Sequence, residues 1–260
     1  MGNIIKIISS MLITISILYV WKTTYYISSF SIIILVLASY TTYIFNVNRD
    51  ISYRLHNIGY IYNRNTLLYK LFTSKILLSL KNSIYSIFTI SISFYILLTM
   101  ENMEKNIIFI STIITIILFL FIKYIFSNVL VTKNINYNLV RLVILLSTVI
   151  FSYILFKISI NKEIPELYFK NIDKITEFYK SVVYSQSIYN DYILSYLNAI
   201  DTIIWHYSLL IMSKFENRNI DSVLLIWLTI KNLFVLFTIN KFAISTFLYF
   251  YTIEDKKNVL

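Results

Sequence analysis

Long apolar runs follow one another down this chain, joined by short polar stretches, and only two glycines and one proline interrupt its 260 residues. Each run is about 20 residues long. Wound as a helix, that length matches the ~30 Å hydrocarbon core of a bilayer. Barrel strands would be about 10 residues long and would alternate strictly between apolar and polar. Inside lipid every backbone N–H and C=O must be paired within the protein, so unbroken helices are the form these runs dictate. The expected fold is all-α: a polytopic integral membrane helix bundle with about six to seven transmembrane helices and one long helix projecting from the membrane.

Composition agrees. The chain is 58% hydrophobic and 14% charged, with a mean hydropathy of +0.70. A water-soluble domain so composed lacks the polar surface to cover itself, whereas lipid tails solvate apolar side chains directly. There is no cysteine, which removes disulfides, thiolate metal sites and cysteine nucleophiles together. The weight of Ile, Asn, Tyr, Ser and Lys against little Ala and Gly looks like AT-rich coding, as in an organelle genome, an AT-rich bacterium or a mobile island. The expected location is accordingly a bacterial inner membrane or an organellar inner membrane.

The spans are placed at 4–20, 27–45, 84–100, 107–126 and 139–158, which with a basic interfacial loop at 46–82 make a membrane bundle of residues 1–158. Trp21, Lys22, Tyr25 and Tyr26 read as an interfacial belt between the first two. Gly59 marks a bend in the basic loop. Thr66 to Leu80 suits a helix lying in the interface or the wet start of the third span. Arg49, Arg54, Arg64, Lys70, Lys75 and Lys81 fall in one loop, and Lys123, Lys133 and Arg141 around another. The positive-inside rule puts both loops, and the amino terminus, on the inner side. Lys157 to Lys180 strains this assignment, because it places five lysines outside. The formal net charge of +10 thus belongs to topology, and nucleic acid is not an expected partner.

Residues 159–193 are expected to form an extramembrane amphipathic helix that starts at Pro165, where a missing N–H costs nothing. Tyr168, Ile172, Ile175, Tyr179 and Val182 recur at steps of four and three, an apolar seam on a charged body suited to packing on a partner helix. No Gly or Pro interrupts the chain from there to Ser213, which allows one helix of roughly 70 Å. Residues 194–260 are expected to hold two more membrane helices, near 194–212 and 222–253. Lys231 and Lys241 in the last are read as snorkelling toward water, with charge pairing to Asp201 as the lesser reading. Ser10 with Thr14, Thr89 with Ser93 and Thr148 with Ser152 are small-residue pairs that let helices approach closely without glycine.

One polar stripe stands out for chemistry. Ser187, Asp191, Ser195, Asn198 and Thr202 share a helix face, with Asp201 and His206 nearby. Asp191, Ser195, Asn198, Asp201 and His206 are the candidate intramembrane polar residues, since a carboxylate in hydrocarbon must meet water, a partner or a ligand. A proton or ion path is the functional reading; a hydrated or packed polar face is the structural one and is favoured. Arg141, at the head of the fifth run, reads as an inner-side anchor. No zinc-protease, nucleotide-binding or haem signature is present, so no catalytic residue, metal ligand or cofactor is assigned. The leading functional reading is a non-enzymatic integral membrane subunit of a larger complex, whose partners are the lipid bilayer and other membrane subunits or a second copy of itself. The alternatives are a small permease or ion channel lined by the polar face of 187–206, and a membrane-embedded immunity or defence protein.

Overall fold

The computed structural model describes residues 2–25, 30–61, 70, 74–126, 133–160, 172–182, 187–214 and 221–257. Among these the chain is all-helical, without strands. The helices are α1 (Gly2–Thr24), α2 (Phe30–Ile61), α3 (Lys75–Thr99), α4 (Asn102–Phe126), α5 (Lys133–Ile160), α6 (Ile172–Ser181), α7 (Ile188–Lys214) and α8 (Asp221–Lys257). Six of them contain stretches long and apolar enough to cross a membrane: Ile7–Thr24, Phe30–Asp50, Lys75–Thr99, Asn102–Phe126, Asn138–Ile158 and Ile226–Tyr251.

Helix ends follow local chemistry. Ser74 caps α3, its side chain accepting a bond from the Leu77 N–H, as a short hydroxyl residue does for an orphan donor. Between α3 and α4 only Met100 and Glu101 leave the helix; the Glu104 carboxylate reaches back to accept from the Glu101 N–H at 3.0 Å, the reciprocal half of a capping box. The second helix outruns its expected end at residue 45. It continues to Ile61 and carries Gly59 within it, without a positive-φ glycine among the described residues. Nothing in the polar stretch after Phe45 breaks a helix, so it extends beyond its apolar part. The third span likewise starts at Lys75 rather than near residue 84.

At the centre of the bundle is α8. It packs on α1, α2, α3, α4 and α5, and on α7. Val235, Leu236, Ile239, Phe242, Ala243 and Ile244 are fully buried on it. Its neighbours meet it in two clusters. One gathers Leu18, Trp21, Tyr25, Phe94, Met100 and Leu155 around Leu236; the other gathers Phe45, Phe119, Leu139 and Val140 around Phe247. They mark two ends of the bundle, named here the Trp21 end and the Arg49 end.

Trp21 and Tyr25 are fully buried in the first cluster, which corrects their reading as an interfacial belt. Helix phase decides: Leu18, Trp21 and Tyr25 share one face, and Trp21 meets the edge of Phe94 with ring centroids 4.9 Å apart. All six residues of the small-residue pairs are buried. The outward faces of α3, α4 and α5 are aliphatic and aromatic, with Ile84, Phe88, Ile117, Phe121, Leu146 and Ile150 exposed.

Two expectations about the second half change. The stretch from Pro165 to Ser213 is not one long helix. Helix α6 stops at Ser181, Val182 and Ser187 are non-helical, and α7 begins at Ile188. The short helix packs on α7 instead of extending it. By folding back, the chain gains a helix–helix contact. The expected span at 194–212 lies in α7, which is not among the six helices that are apolar enough to cross; Asp191, Asn198, Asp201 and His206 dilute it. Pro165 and Tyr168 lie outside the described residues.

Candidate functional site

The polar stripe of α7 is packed against protein. Ser195, Thr202 and His206 are buried, while Asp191, Asn198 and Asp201 are half-buried. Asp201 accepts from Lys231 Nζ at 2.8 Å and from Trp227 Nε1 at 3.3 Å, both on α8. Thr202 Oγ1 donates to the Asn198 carbonyl at 2.8 Å and lies 2.9 Å from the Tyr179 hydroxyl on α6. Ser195 bonds its own helix at the Tyr192 carbonyl. The stripe thus divides between a seam to α6 and an ion pair to α8. Of the seam residues expected on α6, Tyr179 and Val182 are half-buried, and the side chains of Ile172 and Ile175 lie outside the described ones. Burial first, then the neighbouring Asp201 carboxylate, hold the Tyr179 phenol above its ordinary range, against the lowering effect of its bond to Thr202.

Asn190 is the polar residue of α7 that sequence reasoning passed over. It is fully buried at the Trp21 end. Tyr95 donates to its Oδ1 at 2.8 Å, and its Nδ2 donates to Ser31 Oγ at 3.0 Å and to the Tyr25 carbonyl at 3.4 Å. One amide therefore ties α7 to α2, α3 and the end of α1. Midway along the bundle Asn240 plays the same part for α8. Ser111 Oγ donates to its Oδ1 at 3.1 Å, and its Nδ2 donates to Ser147 Oγ at 3.3 Å. Thr41 with Thr246 at 2.9 Å, Thr42 with Ser245 at 3.3 Å and Asn46 with Ser86 at 3.2 Å add further cross-links. These bonds replace the close backbone approach that glycine provides elsewhere.

At the Arg49 end four helices leave a space among charged groups. A cavity of about 210 Å³ is lined by Arg49 of α2, Lys81, Asn82 and Tyr85 of α3, Arg141 of α5 and Lys241 of α8, over a floor that includes Phe45, Val140, Ile144 and Phe237. Asp50 stands beside it. Its Oδ1 accepts from Arg49 Nε at 3.1 Å and Nη2 at 2.7 Å; its Oδ2 accepts from Asn82 at 3.1 Å and, more weakly, from Lys81 at 3.5 Å. Lys241 is only 6% exposed. Its ammonium lies 4.9 Å from the centroid of the Tyr85 ring, and among the described residues no carboxylate pairs with it. This overturns the snorkelling reading for Lys241, and the Asp201 ion pair overturns it for Lys231. Lys241 turns inward because residues 238–247 of α8 are enclosed on every side, and Lys231 because Asp201 stands within reach.

A larger groove of about 760 Å³ between α2 and α3 is lined by Val36, Tyr40, Tyr43, Ile76, Leu80 and Ile87 among others. It is mostly apolar and open. Among the described residues no cluster of His, Cys, Asp and Glu suits a metal ion. The chain matches no protein-family model, no curated protein and no solved structure.

Proposed function

We propose that this chain is a non-enzymatic integral membrane subunit of a larger membrane complex, with its six apolar helices crossing the bilayer and the Arg49 end on the inner side. Arg49, Lys81, Lys123, Arg141 and Lys241 belong to the half of the bundle around Phe45 and Phe247, which fits the positive-inside rule. With α6 and α7 both outside the lipid, α8 is the sixth span and returns the chain to the inner side.

The observation that carries the subunit reading is the exposed face of α7. Tyr189, Tyr192, Tyr196 and Tyr207, with Ile200, are exposed on a helix that is not apolar enough to cross. Tyr192 and Tyr196 pack with ring centroids 4.6 Å apart and share a hydrogen bond of 3.1 Å. Lipid accepts the aliphatic faces of α3 to α5 without a partner. A tyrosine row on a helix packed beside α6, which exposes the charges Asp173, Lys174 and Glu177, instead suits the aromatic centre and polar rim of a protein interface. The occupant fitting this face is another membrane chain meeting it at the outer rim of the bundle. Purification from the native membrane in mild detergent, followed by native mass spectrometry, tests this. A companion chain in fixed ratio is expected, and Tyr192→Ser with Tyr196→Ser should release it. A lone, monodisperse protein would sink the reading, and solute uptake by vesicles carrying the chain alone would favour a permease.

A further inference from the structure

We infer that the cavity at the Arg49 end is a binding site for a phosphate group, carried by an anionic lipid headgroup or free in solution. Four cations line it, and Asp50 is the one carboxylate among the described residues that pairs with them. That leaves a formal surplus of three positive charges around a space of about 210 Å³. Water occupies ~30 Å³ per molecule in the liquid, so the space holds one phosphate group and a few waters.

The cations are not equivalent. Asp50 takes Arg49 and, at longer range, Lys81. Lys241 is buried at the floor with only the Tyr85 ring beneath its charge. A buried cation without a counter-charge is costly, and a ring face offsets only part of that cost. Arg141 is exposed at the rim, so its guanidinium is open to an incoming group. A deep ammonium and a rim guanidinium suit an anion with several oxygens better than a spherical halide, because the planar fork donates to two oxygens at once.

Depth agrees with this ligand. Two of the cations fall at the ends of their spans, Arg49 just before the end of Phe30–Asp50 and Arg141 just after the start of Asn138–Ile158, while Lys241 lies deeper, within Ile226–Tyr251 and next to Asn240. The mouth of the cavity is thus at headgroup depth, where basic pockets between membrane helices hold lipid phosphates. The inference stands apart from the α7 interface, since no lining residue belongs to α6 or α7.

The test uses the full chain in detergent and in lipid nanodiscs, as wild type, Lys241→Met, Arg141→Gln, and Lys123→Met as a charge-matched control outside the cavity. Thermal melting is followed against inorganic phosphate and against chloride at equal ionic strength. Retention of phosphatidic acid against phosphatidylcholine is followed by native mass spectrometry. Stabilisation by phosphate points to the free anion, and selective retention of phosphatidic acid points to the headgroup. Either should weaken at least tenfold in Lys241→Met and Arg141→Gln, and stay within twofold in Lys123→Met. Arg141 is at the rim, so its variant keeps the test open if Lys241→Met folds poorly. Equal effects of chloride and phosphate, or an equal loss in Lys123→Met, or no response to either probe, would overturn the site.

Discussion

The two lysines of α8 are ten residues apart on one helix and are handled in opposite ways. Toward the Trp21 end, Lys231 meets the Asp201 carboxylate of α7 at 2.8 Å, with Trp227 donating to the same oxygen. At the Arg49 end, Lys241 is more deeply buried and faces three further cations. The first charge is matched within the fold, so its role is to dock α7 onto the central helix. The second is left for something outside the chain to match. Polarity buried in a helix bundle can therefore be mortar or a socket, and the presence of a counter-charge tells them apart.

The sharpest way to break this distinction is to remove one charge at a time. Asp201→Leu leaves Lys231 unmatched in a partly buried site and should cost on the order of 2 kcal/mol, between the values for exposed and fully buried pairs. Adding Lys231→Met should restore most of it, read as melting of the detergent-solubilised protein. Lys241→Met should instead leave the anion-free protein as stable or more stable. A large loss there would mean that Lys241 is mortar too.

A smaller effect separates neutral cross-links from charged ones. Asn240→Leu gives up the bonds to Ser111 and Ser147 and should cost about 1 kcal/mol, given the modest worth of helix–helix hydrogen bonds in membranes. A cost as large as that of Asp201→Leu would place the fold's chief polar anchor at mid-bundle instead of in the ion pair.

The smallest effect concerns α6. Tyr179→Phe loses the bond to Thr202 and should cost about 0.5–1 kcal/mol. The Tyr179 phenol titrates above its ordinary value of 10.0. Its contribution should therefore be complete below pH 10 and fall away as pH climbs through the folded value, because the unfolded chain gives up that proton first. Melting of wild type and variant should converge in that alkaline range. A gap that widens there would show that the seam between α6 and α7 does not bury this hydroxyl.

What was legible in the sequence was whatever a single helix decides for itself. Runs of about 20 apolar residues announce five of the six candidate spans, and the last run contains the sixth. What escaped depends on neighbours. Arg49, Lys81, Arg141 and Lys241 share one cavity although tens of residues separate them, and no spacing rule joins them. Asn190 and Asn240 were hidden because Asn is abundant throughout, so neither drew notice until its partners were in place. Trp21 followed a local rule for aromatic residues next to a lysine, and its helix phase overruled it. The break between α6 and α7 escaped because neither Gly nor Pro marks it, only serines that also occur inside helices.

The helix that all five other spans pack against is also the one synthesised after them. Until residues 221–257 leave the ribosome, Ser111, Ser147, Thr41 and Thr42 lack the partners that the finished fold supplies. The earlier helices can form one by one, in the proposed reading as they enter the bilayer, yet they have no hub to close around. Closure of the bundle thus waits for translation of residues 221–257, and a nascent chain stalled before them is a loose set of cylinders whose hydroxyls lack these partners.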